Sequence, residues 1–351
     1  MNWLCTEILK RVGASPEEAT IVSENLVEAN VKGHDSHGVM VLPTYVERVQ
    51  QGFYTLGARV DLLVDTPCMA LLDGNWGFGQ VIARKAMEIA IAKAKATGIS
   101  YVGVRNANHI GRLGYFAKMA LEQDVIALMI VNSGGPVAPY GSKSPIMGTN
   151  PMCFAVPSNA AFPLILDMAT SVVAGGKVSL KRERGENVPE DWLIDRDGRP
   201  TTDPSVYGEK GGMLLTLGGS VGYKGFGLSL MMDILGGILT SAGTTAVKFK
   251  DIERKPGANG VSIVCIDIKQ ITQVDLFKQR TNELVESIKQ SEVRPGFTEI
   301  LIPGEPSSRR EKERKRKGID IPENVWRELK EVAGKLDIDT EKGPASLSHS
   351  R

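Results

Sequence analysis

Histidine is scarce in this chain of 351 residues: only four occur, and three of them fall in two short stretches. These are Gly33-His34-Asp35-Ser36-His37-Gly38 and Asn106-Ala107-Asn108-His109-Ile110-Gly111, while His349 sits in a polar tail. Imidazole titrates closer to neutrality than any other side chain, so it is the default proton carrier at pH 7. The glycines beside it let backbone come close to a bound ligand. A single histidine is as readily a buried ring satisfied by loop hydrogen bonds, because structural networks also hold titratable groups. Two such sites in Gly- and polar-rich loops favour function. Residue type leaves acid/base transfer, a metal site at His34, His37 and His109, and a nucleophilic serine to be weighed. Zinc wants three or four ligands, and no cysteine pair or H-E-x-x-H helix is present, so no metal is expected. No G-x-S-x-G elbow surrounds Ser36, which is read as orienting a ligand or tuning its neighbour.

The elements that must hold these loops follow from periodicity. Leu4, Ile8 and Val12 recur at helical spacing. Ser15-Pro16-Glu17-Glu18 reads as a capping box with proline in the first turn, opening a helix through Val22, Leu26 and Ala29. Val39–Gln51 is a third helix, stopped by Gly52. Beyond residue 58 strands and helices alternate. Strands are expected at Val60–Val64, Met69–Leu72, Ile99–Val104, Val125–Val131, Leu164–Asp167 and Gly260–Asp267. Helices are expected at Gln80–Lys95 (closed by Gly98), Tyr223–Thr240, Val274–Gln290 and Pro322–Leu336. The candidate chemistry therefore clusters where strands end, which is where α/β folds place ligands. The division expected is a helical region built from residues 1–57 and 303–351 around an α/β domain of residues 58–302, with the final ten residues frayed.

Two glycine-rich runs, Gly74–Gly79 and Gly222–Gly227, lack the G-x-G-x-x-G spacing that opens a helix directly after a strand, so an ordinary Rossmann domain is disfavoured. Lys224 lies among glycines at a helix start, where free N–H groups and the dipole favour an anion; the plainer reading is a surface lysine in a turn. Gly148-Thr149-Asn150-Pro151 reads as a turn. The run from Arg309 to Lys317 holds seven basic residues in nine, but interleaved glutamates and missing aromatics suit a solvated helix better than a nucleic-acid patch. A net charge of +1 gives no reason to expect nucleic acid or membrane as a partner. Four dispersed cysteines without CxxC pairs read as reduced thiols. Neither a signal peptide nor an 18-residue apolar run is visible, so a cytoplasmic protein is expected.

Taken together, these stretches resemble the malate/L-lactate dehydrogenase family, which also holds L-sulfolactate, ureidoglycolate and diketogulonate enzymes. The likeness runs from about residue 3 to 336 and rests on Asp35-Ser36-His37-Gly38-Val39 with Leu42-Pro43 and Tyr45, Asn106, Asn108-His109 with Gly111, Gly148–Pro151, Asp167–Ser171, Pro200–Pro204, Lys224-Gly225 with Gly227, and Pro303–Glu305. Gly33-His34-Asp35 and His109–Arg112 look nearest the hydroxycarboxylate dehydrogenase B branch. The resemblance implies a non-Rossmann, mixed-sheet α/β fold using NAD or NADP, and a homodimer with its site near the subunit interface. It implies a small 2-hydroxy acid exchanged with a 2-oxo acid, or reduction of a related carbonyl or imine compound; the substrate side chain is not fixed. Ser36 and His37 match the family's active-site serine and histidine, and His109 a residue assigned to proton transfer or to the nicotinamide. His109, Ile110, Gly111, Arg112, Leu113, Ser133, Asp167, Met168, Ala169, Lys224, Gly304 and Glu305 match cofactor-contacting positions, and Tyr45 is assigned to substrate binding.

Two departures stand out. Val41 occupies a position where many members carry an arginine that holds the substrate carboxylate, so a replacement cation is needed; Arg112 is the expected one, because a guanidinium suits a carboxylate. Gly175 and Lys177 stand where some relatives place an arginine and an aspartate, so a relay through that aspartate cannot operate. His37 is the expected proton carrier, Ser36 its support and His109 the second candidate. The basic 309–317 segment, following the Gly304 turn, either meets a cofactor phosphate or is solvated. A metal-assisted hydrolase or lyase is the alternative.

Overall fold

The computed structural model describes residues 1–208 and 210–340; His349 and the expected frayed tail lie outside them. The chain opens with helices α1 (Asn2–Arg11), α2 (Pro16–Val31) and α3 (Leu42–Gln50). The capping box forms as expected: Ser15 Oγ accepts the Glu18 N–H at 3.2 Å and Glu18 Oε2 accepts the Ser15 N–H at 2.9 Å. The third helix begins later than its apolar pattern suggests. Short 3₁₀ turns at Asp35–His37 and Val39–Val41 precede it, separated by an extended Gly38 (φ −89°, ψ −157°) that lies against the Asn30 amide with no room for a Cβ.

The centre is a seven-stranded mixed sheet. Its strands are β1 (Asp61–Asp65), β2 (Met69–Asp73), β3 (Ile99–Ala107), β4 (Val125–Asn132), β5 (Met152–Val156), β6 (Leu164–Met168) and, much later in the chain, β10 (Asn259–Asp267). The spatial order is β1-β2-β3-β10-β4-β5-β6, and β2–β3 is the one parallel pair. Helix α4 (Gly79–Thr97) makes the β2–β3 crossover and α5 (Leu113–Leu121) joins β3 to β4. Because β10 inserts antiparallel between β3 and β4, those two strands run the same way without touching. The crevice of a doubly wound sheet is thereby filled, which accounts for the absent dinucleotide fingerprint. The carboxyl ends of β3, β4 and β6 and the starts of β5 and β10 meet along one sheet edge.

Alternation assigns the two faces of the sheet. Val261, Ile263 and Cys265 of β10 face α4 and α5 in the main apolar core, while Ser262 turns the other way and donates to the Leu235 carbonyl at 2.7 Å. That carbonyl belongs to a π-helical segment, Asp233–Ile238, which continues α7 (Tyr223–Met232). The helix expected over 223–240 thus changes register midway. Gly236 packs so tightly on the end of β4 that a Cβ would overlap the Asn132 backbone, and at Gly237 a Cβ would overlap the Gly243 carbonyl.

Sequence patterning missed α5, β5 and α6 (Gly175–Glu183), and also the three-stranded sheet of β7 (Leu193–Ile194), β8 (Pro200–Thr201) and β9 (Met213–Leu214). These last elements are too short for periodicity to register. The chain closes with α8 (Val274–Lys289), α9 (Glu305–Lys317) and α10 (Glu323–Lys335). Val325, Leu329 and Ala333 of α10 share one apolar cluster with Leu4, Ile8, Leu26 and Leu42 from the opposite end of the chain. Among the described residues no helix is long and apolar enough to cross a membrane.

Candidate active site

Two loops bring the histidines together. After α2 the chain turns at Gly33 (φ +82°), and the following turn is locked from both sides. Asp35 accepts two hydrogen bonds from Arg314 of α9, at 2.6 and 2.9 Å, and one from Asn30 Nδ2 at 2.7 Å. Asn30 Oδ1 accepts the Val39 N–H at 2.8 Å, and His34 Nε2 meets Ser307 Oγ at 3.1 Å. The basic segment is therefore a helix as read, but one face of it is docked: Arg314 binds Asp35, and Glu311 pairs with Lys32. The second loop leaves β3 at Asn106, which holds a positive φ of 53°. Asn108 Nδ2 donates to the Trp76 and Gly77 carbonyls at 2.6 and 3.1 Å, and the Ile110 N–H donates to Asn259 Oδ1 at 3.0 Å. Gly79 lies under this loop, where a Cβ would overlap the Asn108 and His109 carbonyls.

The result is a stacked pair of imidazoles, His37 and His109, with ring centroids 5.7 Å apart and planes 25° apart. His37 Nδ1 lies 3.1 Å from Ser36 Oγ. His109 Nδ1 lies 2.6 Å from Tyr45 Oη, which in turn accepts a hydrogen bond from Gln80 Nε2 at 2.9 Å. Burial, reinforced by the charges of His37 and Arg48, pushes His109 down to about 3. Burial also lowers His37, opposed by the nearby Asp167 carboxylate; burial raises Asp167 itself, opposed by Arg112 and by the Gly114 N–H that donates to Oδ2 at 2.8 Å.

His37 stands where two cavities join. The outer, about 510 Å³, is lined by His34, Gly111, Arg112, Asp167, Met168, Ala169, Lys177 and Arg310 among others. The inner, about 410 Å³, holds His109, Tyr45, Ile110, Leu113, Ser133 and Arg48. A third recess of about 300 Å³ carries the outer cavity past Arg112 to Gly304. Thirteen of the fifteen site residues read from the sequence thus line one connected cleft. Two do not. Lys224 is exposed at the head of α7. Glu305 is buried away from the cleft, its carboxylate held by Lys289 at 2.7 and 2.8 Å and by Arg309 at 2.6 Å. These contacts, with the Ile302 N–H donating to Oε2 at 3.2 Å, anchor the Gly304 turn.

Arg112 lines the cleft, but its guanidinium is engaged. It donates to Glu28 through Nε and Nη2 at 2.8 to 3.2 Å, and Nη1 lies 3.8 Å from Asp167. Two carboxylates thus already stand beside the group expected to clamp a third. Thr149 and Pro151, read only as turn residues, line both cavities, and Asn150 fixes them by accepting the Ser133 N–H at 3.0 Å and donating to Ser229. Lys177, Arg310, Tyr207 and Arg48 also line the cleft; Arg310 belongs to the basic run and Lys177 to a noted departure, but nothing in the local sequence marks Tyr207 or Arg48. Among the described residues no three His, Cys, Asp or Glu side chains gather as a metal would require.

An elongated cleft with uncommitted cations along its outer wall and paired imidazoles at its inner end fits a nicotinamide dinucleotide: Lys177 and Arg310 suit its phosphates, and the inner chamber its reacting ring. Fold and cleft together define a nicotinamide-dependent oxidoreductase outside the Rossmann class. Comparison with known proteins agrees and narrows it. The malate/L-lactate dehydrogenase family model matches residues 1–330. The malate dehydrogenase of Pyrococcus abyssi is 42% identical over 336 residues, covering 94% of this chain and 92% of that protein. The hydroxycarboxylate dehydrogenase B of Escherichia coli strain K12 is 34% identical over 339 residues, covering 95% and 92%. The crystal structure of malate dehydrogenase from Entamoeba histolytica superposes with a TM-score of 0.90 at 29% identity, covering 96% of each chain. The chain belongs to the malate/L-lactate dehydrogenase family. It is an NAD(P)-dependent hydroxyacid dehydrogenase, and nothing in these relatives supports a hydrolase.

Proposed function

We propose that the inner chamber is where a small 2-oxo acid is reduced and a 2-hydroxy acid oxidised, with His37 as the proton carrier. The observation that carries this is the stacked His37–His109 pair at the junction of the two cavities. Bound NAD(P)H supplies the hydride; the chain aligns the reactants and handles one proton. His37 in its protonated form donates to the developing alkoxide, and in the reverse direction the neutral ring takes that proton back. Ser36 supports the ring through Nδ1. His109 has a different part. Gln80 already donates to Tyr45 Oη, so the phenol proton turns to His109 Nδ1, and Nε2 carries the ring's own hydrogen. A neutral imidazole of that tautomer polarises a carbonyl oxygen without moving a proton. Gly111 to Leu113, Ser133, Asp167 to Ala169 and Gly304 form the cofactor-side wall.

A panel of 2-oxo acids with NADH and NADPH, followed at 340 nm, tests the reading; oxaloacetate, pyruvate, sulfopyruvate and an aromatic 2-oxo acid cover the side chains in question. Turnover of at least one is expected. No turnover of any, with NADH and NADPH both bound, would refute it.

The same reading includes a homodimer. Leu230, Met231, Ile234, Ile238 and Leu239 are exposed along α7 and the π segment, and a cluster of exposed apolar side chains of this kind commonly marks an interface. Lys224 heads that helix, so pairing through this face places it at the interface. Sedimentation at micromolar concentration should give twice the chain mass, and Ile234→Asp with Ile238→Asp should give the chain mass; a monomeric wild type removes the dimer. We also propose the division into a helical unit (1–57 with 303–351) and an α/β unit (58–302), which the shared apolar cluster of the two chain ends supports.

A further inference from the structure

The inner chamber holds a charge that the proton chemistry does not use. Arg48 lies two turns along α3 from Val41 and lines the chamber, half-buried, beside Tyr45 and His109. Its guanidinium covers Gly257 so closely that a Cβ there would overlap Nη1. Three other cations around the cleft have carboxylate partners, Arg112 with Glu28, Lys32 with Glu311 and Arg314 with Asp35, while Lys177 and Arg310 line the outer cavity and not this chamber. Among the described residues lining the inner chamber there is no aspartate or glutamate. A partly desolvated cation facing a cavity without a counterion is unfavourable until an anion arrives. A planar guanidinium presents paired donors at the spacing of a carboxylate's two oxygens.

We infer that Arg48 receives the carboxylate of the 2-oxo acid and is this enzyme's specificity-determining residue for an anionic substrate. The inference rests on the chamber being the substrate site. It gives the helix carrying Tyr45 a second purpose: one turn orients His109, the next anchors the substrate. Val41, one turn earlier than Tyr45, leaves an apolar wall on that side.

The test is to titrate oxamate, an unreactive 2-oxo carboxylate, into NADH-loaded wild type, Arg48→Gln and Arg48→Lys, and to compare KM for a reactive 2-oxo acid and for its uncharged amide. Arg48→Gln should weaken oxamate and raise KM for the acid by about 10- to 100-fold, the range for losing a charge-assisted pair. Binding of NADH, read by its fluorescence, should stay within about twofold and the amide should be turned over at similar efficiency, because neither engages this cation. Arg48→Lys should recover part of the loss, and guanidinium chloride should restore part of the activity of Arg48→Ala. Unchanged oxamate affinity in Arg48→Gln overturns the inference, and so does an equal loss on acid and amide. If Arg48→Gln fails to bind NADH, Arg48→Lys decides: weakened oxamate binding with NADH retained supports the inference, and oxamate affinity unchanged from wild type overturns the paired-donor clamp. A wild type that binds oxamate through Arg48 yet turns over no 2-oxo acid would sink the functional reading and leave the anion site standing.

Discussion

Replacing His37 with asparagine is expected to slow single-turnover reduction of a 2-oxo acid by about 10²- to 10⁴-fold, the usual worth of a positioned general acid. His109→Asn should cost less, because the neutral ring polarises rather than protonates. The pH dependence separates the two. Reduction needs His37 protonated, so kcat/KM should fall as pH rises through its pKa; oxidation needs it neutral, so that rate should fall as pH drops through the same value. Burial lowers His37, which sets this limb in the free enzyme on the acid side of an ordinary histidine. His109, pushed to about 3, contributes no limb in the working range. The limb should therefore survive in His109→Asn and vanish in His37→Asn. Near wild-type rates in both variants would end the proposal; loss of the limb in His109→Asn alone would exchange the two roles.

Arg112→Ala is expected to lower stability rather than substrate affinity. It strands Glu28 and Asp167 beside one another on the cleft wall, the latter 14% exposed. Breaking a buried pair typically costs about 3–5 kcal/mol, and since Glu28 is 23% exposed a figure of about 2–4 kcal/mol is appropriate here. Urea unfolding of the NADH-free protein should show that loss as a lower midpoint, with KM for the 2-oxo acid changed by less than about threefold. Undiminished stability with a tenfold higher KM would instead restore Arg112 as the carboxylate clamp.

Much of this was legible in the chain itself. The capping box at Ser15, the strand edges and the loop character of both histidine segments follow from local rules, because each depends on residues a few positions apart. The mixed sheet and the cofactor class came from motifs in a fixed order rather than from periodicity. What stayed hidden depends on partners distant in sequence. Arg112 looked free because its carboxylate, Glu28, is on another helix. Gly148–Pro151 looked like a bare turn because Asn150 reveals its purpose only through Ser133 and Ser229. Nothing local distinguishes Arg48 within the Val39–Gln51 helix; the absence of aspartate and glutamate from the described lining of its chamber is set by residues distant in sequence. The basic run was correctly read as helix, but its grip on Asp35 needs the two chain ends side by side.

The late strand β10 carries a consequence for how the enzyme comes into being. Its two long ladders join residues 259–267 to 99–107 and 125–132, so closing the middle of the sheet means shutting very large chain loops. Such non-local closure slows folding and leaves strand edges unpaired meanwhile. On a ribosome, β3 and β4 would emerge long before the strand that separates them, and Asn259 could not yet hold the His109 loop. The newborn polypeptide thus keeps an unpaired gap in its sheet, exposed to sticking to its neighbours, until roughly three quarters of the chain has been made.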